Sequence, residues 1–103
     1  MNQLLFEGQA EGGVHMGLGF ELTENVPMEN GSLLSKKMSD LKILRARETP
    51  EIIVKGVEVP DPGGPFGAKG VGEIGMVPTA AAVANAWSAF DGIRLTKLPL
   101  KRE

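Results

Sequence analysis

The stretch GGPFGAKGVGE, residues 63–73, decides how the rest of the chain must be arranged. It places five glycines and one proline in eleven residues. This density predicts a shaped loop rather than a strand or helix, because glycine permits positive φ angles and close backbone approach. Glu73 leaves the loop beside the apolar residues Ile74 and Val77, where poor solvation makes a carboxylate a stronger base. Glu73 is therefore a candidate general base, and the alternative is a flexible, solvated surface loop with an incidental glutamate.

Upstream of this loop, apolar residues recur at every fourth position, which predicts a helix over residues 8–24. The recurring residues are Ala10, Val14, Leu18 and Leu22. Each glycine inside a helix costs about 1 kcal/mol relative to alanine, so the glycines within this stretch need a compensating role. Gly13 and Gly17 lie one turn apart and predict a face on which another backbone or a flat ligand approaches closely.

Gln9 lies just before the apolar recurrence, near the expected start of the helix. Its side-chain amide can both donate and accept hydrogen bonds, and the unpaired N–H groups of a helix N-terminus favour anionic groups nearby. Gln9 is therefore a candidate ligand-binding residue. The alternative is a capping or solvent-facing role.

Downstream, Pro78 and the apolar spacing that follows it predict a second helix over residues 78–91, ended by Gly92. Residues 51–59 are rich in β-branched side chains and residues 93–97 alternate apolar and polar side chains, so both predict strands. The sequence therefore predicts an α+β fold with two helices packed on a small mixed sheet. Residues 1–103 are expected to form a single domain.

Composition excludes several classes of function. The chain of 103 residues has a formal net charge of −2, which gives no broad attraction to nucleic acid or to anionic membranes. It has no cysteine and one histidine, so no thiolate metal site or iron–sulfur cluster is expected within it. The phosphate-loop pattern is not met, since Lys69 is followed by Gly70 rather than Ser or Thr. Without a signal-like first segment or a membrane-length apolar run, a cytoplasmic location is expected.

Several separated motifs together resemble the C-terminal part of the molybdenum-binding subunit of the xanthine dehydrogenase and aldehyde oxidase family. The resemblance covers nearly the whole chain and keeps the family's order and spacing. The motifs are residues 6–13 (FEGQAEGG), 16–19 (MGLG), 64–73 (GPFGAKGVGE) and 78–86 (PTAAAVANA).

The resemblance implies a fragment of a molybdopterin-binding domain in an enzyme that hydroxylates an N-heterocycle or an aldehyde with oxygen from water. Glu73 matches the family's catalytic base, and Gln9 matches a glutamine that hydrogen-bonds the pterin cofactor. The loop backbone would line the molybdenum pocket through Gly67, Ala68, Lys69, Gly70, Val71 and Gly72. None of these residues is implied to be a direct ligand of the metal.

The resemblance further implies that iron–sulfur and flavin groups lie on other domains or chains. Family subunits are several times longer, so the isolated chain is expected to be inactive, to require other segments or subunits, and to self-associate through surface normally covered. Two alternatives stay open. The chain could be a non-catalytic α+β association module, or Gln9 and the glycine loop could bind a small anion independently.

Overall fold

The computed structural model describes residues 2–101, which begin with a long helix, α1, over Gln3–Leu22. Asn2 caps it, since its side-chain oxygen accepts a hydrogen bond from the Leu5 N–H at 3.1 Å. This cap explains why α1 begins five residues before the predicted start at residue 8, because it satisfies an N–H group that the first turn leaves unpaired. The helix ends at Leu22, two residues before the predicted end.

Two short strands follow α1 and form the sheet: β1 over Met28–Glu29 and β2 over Ser32–Leu33. They pair antiparallel, with Met28 opposite Leu33. Asn30 and Gly31 form the turn between them with φ angles of 49° and 79°. Two successive positive φ angles are what a tight hairpin turn needs, and Asn-Gly adopts them readily.

The second helix, α2, spans Thr79–Asp91. The predicted helix at residues 78–91 is therefore confirmed to within one residue. Gly92 ends it in the left-handed conformation, with φ of 76°, and its N–H bonds the Ser88 carbonyl at 2.8 Å. Short 3-10 turns complete the regular structure at Met38–Leu41, Ala46–Glu48, Pro65–Gly67 and Glu73–Gly75.

The α+β class and the two helices are confirmed, but the predicted strands at residues 51–59 and 93–97 are wrong. Neither segment is a strand in the structure, and the sheet is the antiparallel hairpin rather than a larger mixed sheet. The β-branched side chains at 51–59 favour a strand only where another strand can pair with them. Within residues 2–101 no such partner lies beside either segment.

α1 packs against α2 and against the turn at Glu73–Gly75, but the described chain encloses little apolar core. Leu100 is the only buried hydrophobic side chain among residues 2–101. The radius of gyration is 17.0 Å, whereas a compact chain of 100 residues has about 13 Å. The accessible area is 8276 Å², and a compact chain of this size exposes about 5,600 Å².

No helix within residues 2–101 has both the length and the apolar composition needed to cross a bilayer.

Glu21, near the end of α1, is buried, with 1% of its surface exposed. Its backbone carbonyl accepts a hydrogen bond from the Leu100 N–H at 2.6 Å, which holds the last described residues against α1. The Glu21 Oε2 atom has no hydrogen-bond partner within the described chain.

Candidate functional site

The glycine stretch folds into a loop closed by its own backbone hydrogen bonds. The Asp61 N–H donates to the Gly67 carbonyl at 3.1 Å, and the Gly67 N–H donates to the Gly64 carbonyl at 3.0 Å. Gly67 has φ of 76°, which a residue with a side chain rarely adopts. A Cβ atom on Gly64 would overlap the Ala68 carbonyl oxygen, so this glycine is required for the chain to close on itself. The predicted shaped loop is therefore present.

One face of α1 holds this loop and the start of α2 in place. Gln9, Gly13 and Gly17 lie at successive turns of the helix and meet, in order, Gly72, Gly75 and Thr79. A Cβ on Gly13 would lie 3.1 Å from the Gly75 Cα. A Cβ on Gly17 would lie 2.9 Å from the Thr79 Cβ and closer still to its hydroxyl. The absence of a side chain at Gly13 lets the Gly75 backbone approach closely, as the sequence predicted, and at Gly17 it makes room for the Thr79 side chain.

Gln9 is brought directly beside the candidate base. Its amide nitrogen donates to the carbonyl oxygen of Gly72, the residue before Glu73, at 3.3 Å. The side chain is exposed, and its amide oxygen has no partner among residues 2–101. Gln9 lies inside α1 rather than before it, so the expectation that it sits at the helix N-terminus is wrong. Its position two turns into the helix is what aligns it with Gly72.

Glu73 begins the 3-10 turn Glu73–Gly75, and its carbonyl accepts the Met76 N–H at 2.9 Å. Its side chain is exposed. The expected poorly solvated surroundings are therefore absent within the described residues, because the apolar neighbours are themselves exposed. Ile74 is 63% exposed and Val77 is 77% exposed. Sequence identifies apolar neighbours along the chain, but it does not show whether a second layer covers them.

The other residues expected to bind cofactor form one continuous strip of loop: Gly67, Ala68, Lys69, Gly70, Val71 and Gly72. Gly70 and Gly72 have open space where a side chain would lie, with no atom within 4 Å of an added Cβ. Gly67 is half-buried against Pro60, so it shapes the base of the loop. Gly70 and Gly72 therefore present accessible backbone in the segment that the Gln9 amide contacts and that leads to Glu73.

Residues 2–101 contain no cluster of three or more His, Asp or Glu side chains that could hold a metal ion.

Thr79 is a structural residue of the site that sequence reasoning missed. It is 6% exposed, and its hydroxyl donates to the Met76 carbonyl at 2.6 Å. This bond ties the turn after Glu73 to the start of α2, at the point where Gly17 of α1 packs. Its signal in the sequence is weak, because a threonine after a proline is common at many helix starts.

Replacing Thr79 with valine is expected to lower the free energy of unfolding by about 0.5–1.5 kcal/mol, because the side-chain shape is retained and one hydrogen bond is lost. Urea denaturation followed by circular dichroism at 222 nm measures the change. Thr79→Ser is the control, since it keeps the hydroxyl. A valine variant as stable as the parent would show that the hydroxyl does not hold this turn.

The chain is similar to known proteins over nearly its whole length. The sequence profile of the molybdopterin cofactor-binding domain matches residues 1–50, which include Gln9. The putative xanthine dehydrogenase molybdenum-binding subunit of Escherichia coli K12 is 33% identical over 102 residues, covering 97% of this chain. This alignment extends through the glycine loop and Glu73. The chain belongs to the molybdopterin-binding family of molybdenum hydroxylase subunits.

Other family members agree with this assignment. Aldehyde oxidoreductase of Megalodesulfovibrio gigas is 33% identical over 100 residues, or 95% of this chain and 11% of that protein. The crystal structure of quinoline 2-oxidoreductase from Pseudomonas putida 86 superposes with a TM-score of 0.85 and 31% identity, over 96% of this chain and 13% of that one. The chain thus spans about one seventh of the length of the E. coli relative, of which it covers 14%.

Proposed function

We propose that this chain supplies the catalytic glutamate and part of the cofactor cradle of a molybdenum hydroxylase. The observation that carries the proposal is the contact between α1 and the glycine loop. It places the Gln9 amide within 3.3 Å of the Gly72 carbonyl, one residue before Glu73. A hydrogen-bonding side chain, open backbone and a carboxylate thus share one surface, and the family to which the chain belongs binds molybdopterin.

The residues present suit the pterin group of such a cofactor. Gln9 still has an amide oxygen available, and the backbone from Lys69 to Gly72 is open to a ring laid against it. We infer that these groups, with Gly67 and Ala68 shaping the loop beneath, would hold the cofactor. When bound, the cofactor supplies the metal centre that accepts electrons from the substrate carbon.

Glu73 is proposed to take the proton from the water-derived oxygen that attacks the substrate. A base acts best when its carboxylate is within hydrogen-bond reach of that oxygen and shielded from bulk water. The turn at Glu73–Gly75 fixes the backbone from which the carboxylate extends, since Gly75 is packed against Gly13. The shielding would come from protein segments outside this chain, because the side chain is exposed here.

The complete enzyme is proposed to be an oxidoreductase that hydroxylates an N-heterocycle or an aldehyde. Iron–sulfur and flavin groups on other domains or chains would carry the electrons away, since this chain has no cysteine. A relative is named as subunit gamma of the 6-hydroxypseudooxynicotine dehydrogenase complex of Paenarthrobacter nicotinovorans, which supports assembly with other subunits. The isolated chain is proposed to be inactive, to self-associate and to reside in the cytoplasm.

A chimeric subunit tests the proposal. These 103 residues would replace the matching 14% of the E. coli relative, in a host that makes molybdopterin. The purified chimera is expected to contain molybdenum near one equivalent by elemental analysis and to hydroxylate xanthine. A soluble, folded chimera without molybdenum would contradict the proposal.

The second candidate, a non-catalytic association module, is favoured by one observation. Many large apolar side chains are exposed on residues 2–101, including Phe90 at 83% and Leu5 at 71%. Such a surface is typical of a protein interface. The two candidates differ in the chimera, because an association module would assemble with the rest of the subunit without supporting molybdenum binding or hydroxylation.

Gln9 provides a prediction specific to cofactor binding. Gln9→Leu in the chimera is expected to lower molybdenum occupancy several-fold, because the leucine can neither bond the loop at Gly72 nor pair with a pterin edge. Elemental analysis of molybdenum per subunit measures the effect. Gln3→Leu is the matched control, since Gln3 bonds only Glu7 on the exposed first turn of α1. Equal molybdenum in the two variants would remove Gln9 from the cofactor site.

A further inference from the structure

The segment Glu51–Val59 has the features of a strand without a strand beside it. Burial alternates along residues 51–55, with Ile52 and Val54 half-buried and the residues between them exposed. This period of two is typical of a strand with one face packed. The packed face meets α1, because Ile52 lines a groove with Gly8 and Gly12, and an added Cβ on Gly56 would lie 3.1 Å from the Phe6 ring.

The other face and both edges of the segment are open. Ile53, Val57 and Val59, which share the second face by the same alternation, are 75%, 85% and 57% exposed. Within the described chain, residues 51–59 make no backbone–backbone hydrogen bond. Unpaired N–H and C=O groups beside β-branched side chains form a template to which another strand adds.

We propose that Glu51–Val59 pairs, along its backbone, with an edge strand in the part of a molybdenum subunit that this chain does not contain. This inference rests on the family assignment. The quinoline 2-oxidoreductase structure matches 96% of this whole chain, yet this chain covers only 13% of that one. The occupant is a protein strand with open backbone groups, whose apolar side chains lie beside Ile53, Val57 and Val59 on the same face of the shared sheet.

A second copy of this chain fits the surface less well. The accessible area exceeds that of a compact chain of this size by about 2,700 Å², more than pairing along one nine-residue segment would cover. Exposed apolar residues also lie outside the segment, at Phe66 (109% exposed) and Phe90 (83% exposed). One larger partner would cover these surfaces together.

Hydrogen–deuterium exchange, measured on the isolated chain and on the chimeric subunit, tests the pairing. Amides of residues 51–59 are expected to exchange at rates close to those of an unstructured peptide in the isolated chain. In the chimera they are expected to slow by about 100-fold or more, because ladder hydrogen bonds protect amides from exchange. The charged segment 36–48 is the internal control and is expected to change much less.

Proline variants identify the paired edge. Ile53→Pro and Val54→Pro remove N–H donors that point to opposite edges of a strand. At least one of them is expected to lower the thermal midpoint of the chimera, while both leave that of the isolated chain within a few degrees. Ile53→Val is the control, because it keeps the N–H and the β-branched side chain.

Each outcome decides the proposal. A chimera that binds molybdenum but leaves residues 51–59 unprotected would overturn the strand pairing and keep the proposed function. A folded chimera that protects residues 51–59 but binds no molybdenum would keep the strand pairing and overturn the proposed function. If the amides of residues 51–59 are already protected from exchange in the isolated chain, and sedimentation shows a dimer, the strand that pairs with this segment would belong to a second copy of the chain. An insoluble chimera, or chimeras unaffected by either proline, would also count against the pairing.

Discussion

Replacing Glu73 with glutamine in the molybdenum-loaded chimera is expected to lower the turnover number by about 10²–10⁴-fold, the range that a positioned general base contributes. Glutamine keeps the size and hydrogen-bonding capacity of the side chain, but its amide cannot accept the proton. Molybdenum content should stay at the parent level, because Glu73 is proposed to act on the proton rather than to hold the cofactor. Steady-state hydroxylation of xanthine, normalised to molybdenum, measures the loss.

The matched control is Glu29→Gln, which removes the same charge from an exposed glutamate in β1. It is expected to change turnover by less than about twofold, since exposed charges far from a site act weakly through solvent. Full activity in Glu73→Gln would refute the role of Glu73 as base. A loss of molybdenum together with activity would show instead that Glu73 supports cofactor binding.

Glycine spacing was the most informative part of the sequence. Gly13 and Gly17 carry a helical cost that only close packing offsets, and the structure places the backbone of Gly75 against Gly13 and the side chain of Thr79 against Gly17. The same local reasoning located the end of α2 at Gly92. These features depend on backbone conformations available to few residue types, so short segments determine them.

Features that depend on a second layer of protein could not be predicted. The strand at residues 51–59 needs a partner strand, and the burial of Glu73 needs a covering segment, and neither lies within residues 2–101. Local sequence encodes the tendency in both cases, because β-branched side chains and apolar neighbours are present. Whether the strand forms and whether Glu73 is buried depend on other protein segments, which the local sequence does not identify. The hydrogen bond from Gln9 to Gly72 was not predicted, because the sequence analysis places Gln9 at the start of the helix, whereas it lies two turns inside α1.

Gly17→Ala is expected to produce the largest loss of stability among single methyl additions to α1. The new Cβ would lie 2.9 Å from the Thr79 Cβ and nearer still to the hydroxyl that bonds the Met76 carbonyl. Thr79 is buried and β-branched, so it cannot rotate away without breaking that bond. Overpacking of this kind costs about 1–3 kcal/mol. Urea denaturation of the isolated chain, followed at 222 nm, gives the change in unfolding free energy.

Gly12→Ala is the matched control, because an added Cβ at Gly12 meets no atom within 4 Å. Alanine there should stabilise α1 by about 0.5–1 kcal/mol through its higher helix propensity. Both variants add one methyl group to a glycine of α1. Opposite changes in their unfolding free energy would therefore assign the loss at Gly17 to its contact with Thr79. Equal effects at positions 12 and 17 would show that α1 and α2 do not pack closely in solution.

The double variant Gly17→Ala/Thr79→Ala then tests whether the contact is direct. Shortening Thr79 removes the hydroxyl and the methyl group, two of the three nearest atoms that the new methyl would meet, so the double variant should be more stable than the sum of the single effects predicts. In the chimera the same cycle connects packing to chemistry, because the turn carrying Glu73 ends at Gly75, which packs on Gly13 one helical turn from Gly17. Gly17→Ala should therefore lower turnover per molybdenum, and the added Thr79→Ala should restore part of it. Recovery of stability without recovery of turnover would separate the fold of this surface from the positioning of its base.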